Sequence, residues 1–171
     1  MSGSIPYIDM LEVINAVSNL MIAYGVFFFL YFSRRQEKRE KVEFASRYIQ
    51  QWNTPDFFHI TSRLFSFENI EFLRALNPES YEDFRSNNKV GFDDIVTTLN
   101  FIEEMAQAIE SNLADEHTLR KYFQRSLIET YLILENFIEI TRMFRNHPTA
   151  YRSTERLMGQ WAFSKSVAGG K

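Results

Sequence analysis

Three histidines, one pair of adjacent glutamates and four neighbouring arginines are the side chains whose types and spacing suggest chemistry. Asp56-x-x-His59 would set two metal-ligand types on one helix face. A di-metal carboxylate bundle, however, draws on two Glu-x-x-His motifs and two further glutamates. The chain has no Glu-x-x-His, and its single Asp variant has no counterpart. His59 reads better as a helix-surface or interhelix hydrogen-bonding residue; the other histidines are His117 and His147. Glu103-Glu104 offers two carboxylates, but adjacent helix positions diverge by about 100° and do not converge on one substrate. Glu103 borders an apolar face and reads as a solvent-facing or arginine-paired residue. Arg142, Arg145, Arg152 and Arg156 flank His147-Pro148. Folded back as a hairpin, they could gather an anion or an acidic partner. The competing reading is structural: Arg142 and Arg145 suit a helix C-terminus, and Glu139 and Glu155 are available partners.

Glycine-rich phosphate loops, nucleophile elbows and Ser-His-Asp spacing are absent from the sequence. With no cysteine, disulfides, cysteine-based zinc sites and a cysteine nucleophile are excluded. The expectation is a non-enzymatic protein with no cofactor and no metal.

The elements that carry these residues are ordered by one stronger feature. Val13 to Phe32 is a run of 20 residues without a charge, eleven of them Val, Ile, Leu or Phe. That length crosses a hydrocarbon core of about 30 Å as a helix. It ends at Ser33 and gives way to Arg34, Arg35, Lys38, Arg39 and Lys41, whereas no Lys or Arg precedes Arg34. Basic residues are retained on the cytoplasmic side. This predicts a single pass through the cell inner membrane, N-terminus outside and residues 34–171 inside. Tyr7 and Tyr31 are placed to mark the two interfaces. A cleaved signal fits poorly, because the basic residues follow the apolar run and no small-x-small site ends it. The alternative is a buried helix of a soluble domain, since the unbroken apolar part, Leu20 to Phe32, is short enough for one. Within the span, Asn15, Ser18, Asn19 and Gly25 could meet another transmembrane helix, each such contact worth about 0.6 kcal/mol on average; otherwise the polar trio sits at the outer interface.

Net charge is −3, unevenly placed: −2 over residues 1–33, +3 over 34–48 and −4 over the remainder. The basic stretch suits an anionic leaflet, at about 1 kcal/mol per Lys or Arg. The acidic remainder argues against nucleic acid. Six Gly, four Pro and seventeen Phe describe long helices on an aromatic core.

The expected architecture is all-α: an extracytoplasmic tail (1–9), a transmembrane helix (10–33) continuing as a basic juxtamembrane helix (34–52), a bundle of about five to six helices (53–165) and a flexible tail (166–171). Thr54-Pro55 and Asn77-Pro78 are cap-then-proline starts. They predict helices at 55–65 and 78–85, with another at 68–76 between them. Residues 86–91 read as the domain's loop. Ile95, Leu99, Ile102, Ala106 and Ile109 predict an amphipathic helix over 92–110. Asp115 should cap a long helix to about Arg145. Its Tyr131-Leu132-Ile133-Leu134 stretch is apolar all round, which predicts a central, wrapped helix. A last helix is expected from Thr149 to about Ser164.

Two blocks carry a family resemblance. One is Tyr48-Ile49-Gln50-Gln51-Trp52-Asn53-Thr54-Pro55-Asp56. The other runs from Leu99-Asn100-Phe101-Ile102-Glu103-Glu104-Met105-Ala106 through Ile109-Glu110-Ser111-Asn112-Leu113 and Tyr122-Phe123 to Phe137-Ile138, Arg142 and Tyr151. Behind one N-terminal span, this resembles an uncharacterised bacterial family, a domain of unknown function. The resemblance covers most of residues 10–161. It implies a membrane-anchored helical protein and no catalytic residues. The functional expectation is a membrane-tethered interaction or scaffold module that binds the lipid bilayer and a protein partner or a second copy of itself. The rival is an accessory subunit of a larger respiratory, transport or defence assembly. A membrane-surface enzyme would need a deep polar pocket among the helices.

Overall fold

The computed structural model describes residues 10–168; of Leu11, Phe67 and residues 164–168 it describes the backbone alone. The expected tail 1–9, Tyr7 and the last three residues lie outside that range. Seven helices and no strand make up the described chain: α1 (Met10–Trp52), α2 (Pro55–Leu64), α3 (Phe67–Arg74), α4 (Pro78–Asn87), α5 (Lys89–Glu110), α6 (Glu116–Phe144) and α7 (Arg152–Ala168). The chain divides into two compact units at Glu40/Lys41.

In the first unit, α1 carries the apolar run. It is long and apolar enough to cross a membrane, and none of its most apolar window is buried. Tyr24, Phe28 and Phe32 follow one another at four-residue intervals, with ring centroids 6.2 and 4.7 Å apart.

The second unit begins with the last turns of α1, where Ala45 is fully buried. The helix starts follow local chemistry. The Thr54 hydroxyl accepts from the Phe57 amide, with Pro55 at the first helical position. Asn77 and Ser80 form a reciprocal capping box at α4. Asp115 accepts from the amide and hydroxyl of Thr118 at 2.8 and 2.6 Å. Helix ends are equally specific. Asn112 (φ 57°) and Asn146 (φ 47°) take the left-handed conformation just past α5 and α6. The following amides, of Leu113 and His147, return to the Ala108 and Arg142 carbonyls. Both ends are therefore Schellman motifs with Asn where Gly is commoner.

Three expectations change. Residues 86–91 are no loop: Asn88 alone separates α4 from α5, because its side chain caps α5 by accepting from the Gly91 amide at 3.0 Å. α6 is not wrapped on all sides: Ile133 and Leu134 are buried, but Leu132 is 59% exposed. α7 begins at Arg152, later than Thr149, and continues through Ala168, past the expected end.

α5 packs on α2, α4, α6 and α7, and α6 on α3, α4, α5 and α7. Two apolar clusters fill the unit. One gathers Trp161, Phe123, Phe101 and Met105; the other gathers Tyr81, Phe137, Leu99 and Leu73. Tyr131 packs against both. Buried polar groups are bonded: the Tyr81 and Thr141 hydroxyls lie 3.1 Å apart, and Trp161 Nε1 donates to Glu116 at 3.0 Å.

Candidate functional site

The basic segment is largely exposed. Arg34, Arg35, Lys38 and Arg39 are exposed, and Lys41 is half-buried at the start of the second unit. Asn15, Ser18 and Asn19 are exposed on α1, and a Cβ added at Gly25 would meet nothing within 4 Å.

The four arginines near the α6–α7 connection divide. Arg142 donates to the Ala150 carbonyl at 2.9 Å and to Glu155 at 2.7 Å. Arg156 reaches across to Glu110 on α5 at 2.9 Å. These two are occupied by the pairing set against an anion site, whereas Arg145 and Arg152 are exposed. Between the pairs, Glu103 has a role that local spacing does not show. Its partly exposed carboxylate pairs with no arginine and takes the Gln107 side-chain amide of its own helix at 3.1 Å. It accepts from the amides of Ser153 and Thr154 at 3.3 and 2.8 Å and from the Thr154 hydroxyl at 2.8 Å. A side chain of α5 thus supplies the anionic cap for α7. Tyr151, immediately before α7, has φ 57°, which strains a bulky residue by about 1–2 kcal/mol. Its hydroxyl points to Asn100 at 3.4 Å. Burial, more than the opposing charge of Arg145, raises its pKa above the ordinary 10.0.

His59 and Asp56 do not form a metal site: both are exposed, and among the described residues no group of three or more His, Asp or Glu is placed to hold an ion. His59 instead lines a cleft of about 530 Å³ bounded by α2, α3, α4 and α5. Its volume falls in the range of small-molecule sites, about 300–1,000 Å³. Its apolar wall includes Leu64, Phe72, Leu73, Phe84 and Ile95. Its polar wall is organised by an ion pair. Arg63, at the end of α2, donates Nε to Asp94 Oδ2 at 2.7 Å and Nη2 to Oδ1 at 2.9 Å. The Asp94 side chain is 9% exposed and that of Arg63 is 53% exposed. The two hydrogen bonds and the charge of Asp94 raise the Arg63 pKa above its usual value and fix the guanidinium plane. Asn69 donates to the Arg63 carbonyl at 2.6 Å, tying the start of α3 to the end of α2.

Ser62, His59 and Asp94 all line this cleft but do not form a nucleophile relay. Both Asp94 oxygens face Arg63, and neither Ser62 nor His59 makes a hydrogen bond to the other or to Asp94. The cleft escaped the sequence reading because Arg63 and Asp94 are 31 positions apart on helices whose pairing the sequence does not declare. The available signal was local: Asp94 sits on the apolar side of α5, one position before Ile95, where a carboxylate needs a partner.

No curated protein and no solved structure matches the chain. A family model matches residues 11–161, which covers the cleft, the interhelix cap and the whole apolar run. The chain belongs to the family described as Domain of unknown function (DUF4760).

Proposed function

We propose that the protein is a membrane-tethered helical interaction module, held by one span of the cell inner membrane with its N-terminus outside and the bundle on the cytoplasmic side. One observation carries the reading: an uncharged run of 20 residues, exposed along α1, stops at Ser33 and is followed by five basic residues within eight positions. The eleven strongly apolar residues favour insertion by about 3 to 7 kcal/mol in total. The charge step sets the orientation, and the basic residues hold the juxtamembrane segment against anionic lipid. The bundle then presents a folded, acidic surface to a protein partner or to a second copy on the cytoplasmic side. A non-catalytic role is part of this proposal; no catalytic motif in the sequence argues for a reaction.

Crosslinking in intact cells, followed by purification of the full-length chain from membranes and mass spectrometry, tests this. Reproducible crosslinks from bundle residues to one partner, or between copies, are the expected result. A monomer in mild detergent with no crosslinked species refutes the interaction role. Obligate co-purification in a fixed stoichiometric complex would instead make the chain an accessory subunit.

A further inference from the structure

We propose that the cleft between α2 and α5 is a binding site for a small amphipathic carboxylate, its acid group on Arg63 and its apolar body against Phe72, Phe84 and Leu73. This goes beyond the membrane-tether reading and does not depend on it. A guanidinium has five N–H groups and no acceptor. Two go to Asp94, and no other acceptor among the described residues takes the remaining three. Asp94 directs both oxygens to Arg63, so the pair as a unit offers donors to the cleft. Among the neighbouring groups Asn69 leaves an acceptor, its Oδ1, and the others add donors. Asn88 spends its Oδ1 on the Gly91 amide, leaving its Nδ2 donors unused. The Ser62 and Ser66 hydroxyls, both on the cleft wall, make no hydrogen bond through their side chains. A donor-rich pole calls for an acceptor-rich group. A carboxylate matches the planar fork of arginine.

The geometry also explains why Asp94 is there. Buried behind a half-exposed Arg63, it fixes the guanidinium without competing for the cleft's opening. Preorganisation of this kind lowers the ordering cost of binding. The opposite wall is aromatic and aliphatic, so an inorganic anion or a fully polar acid would leave it wet. A carboxylate on an apolar body satisfies both walls. Asp94 is a positioning residue in this account, and Arg63 is the contact.

The test uses the full-length chain in nanodiscs, with empty nanodiscs subtracted, and ligand-observed NMR at pH 7. The probes are 4-phenylbutyrate, octanoate and the neutral 4-phenylbutanol. The acids should bind saturably, with the alcohol about tenfold weaker or more. The paired substitution Arg63→Gln with Asp94→Asn keeps the site neutral and polar and should weaken the acids by about tenfold or more. Ser62→Trp, at an exposed wall position, should block them while leaving the melting curve unchanged. Equal binding of acid and alcohol overturns the proposal. So does retention of acid binding in both variants, or the absence of saturable binding by either acid to the unsubstituted protein.

Discussion

Removing the Glu103 carboxylate should loosen α7 far more than removing its neighbour Glu104. The structure sets the magnitude. Glu103 closes two of the amides at the start of α7 and satisfies the Thr154 hydroxyl, which belongs to a fully buried residue. Loss of a helix cap costs about 1 kcal/mol. A buried hydroxyl left without its acceptor adds about 1–3 kcal/mol. Glu103→Ala should therefore destabilise the second unit by about 3 kcal/mol. At about 3 °C per kcal/mol for a unit of this size, Tm falls by about 9 °C. Glu103→Gln keeps an acceptor oxygen for Thr154 but loses the charge, and should lie about 3 °C below the parent. Glu104 is exposed, and Glu104→Ala should stay within about 2 °C. Tryptophan fluorescence is the right readout, because Trp52 and Trp161 both lie in the second unit and the apolar run contains none. Equal shifts for Glu103→Ala and Glu104→Ala would refute the interhelix cap.

Three further outcomes follow from particular contacts. Arg63→Ala should destabilise the second unit more than Asp94→Ala, since the first strands a buried carboxylate and the second leaves a hydrated guanidinium; denaturant unfolding of the two single variants measures the order, and equal losses contradict it. Gly91→Ala should not bring the stabilisation of about 0.5–1 kcal/mol usual for Gly→Ala within a helix, measured in the same assay, because its Cβ would stand 2.9 Å from Asn88 Oδ1 and displace the α5 cap. Tyr48, Tyr131 and Tyr151 have pKa values raised above 10.0, burial being the largest cause in each. Their neutral forms are favoured in the fold. Stability is thus retained below the unfolded value near pH 10 and falls as pH rises through the folded values. Alkaline absorbance titration should show them ionising after free tyrosine, and Tyr151→Phe should remove part of that late component.

What the sequence disclosed, and what it hid, divides along the range of the interactions. Thr54, Asn77 and Asp115 were legible as helix starts because a cap acts over three residues and needs nothing else. The apolar face of α5 was legible because Ile95, Leu99, Ile102 and Ala106 repeat at helical spacing and are buried. The stretch 86–91 misled for the same local reason. Its polar residues look like a loop, yet Asn88 is a cap good enough to start a helix one residue after the previous one ends. Leu132 misled because an apolar stretch fixes that a helix has several buried sides, not that every side is covered. Glu103 and the Arg63–Asp94 pair were invisible as partners. Glu103 meets α7 across 50 and 51 positions, and Arg63 meets Asp94 across 31. Such pairings depend on which helices pack together, and apolar periodicity alone does not choose among the packings of six helices.

The topology of the tether can be tested directly, because the chain has no native cysteine. Gly3→Cys and Gln160→Cys can each be introduced singly and probed with a membrane-impermeant maleimide on spheroplasts, before and after permeabilisation. Position 3 should label from outside and position 160 only after permeabilisation, and alkaline carbonate should leave the protein in the membrane pellet. Release by carbonate, or labelling of position 160 in intact spheroplasts with position 3 protected, would contradict it.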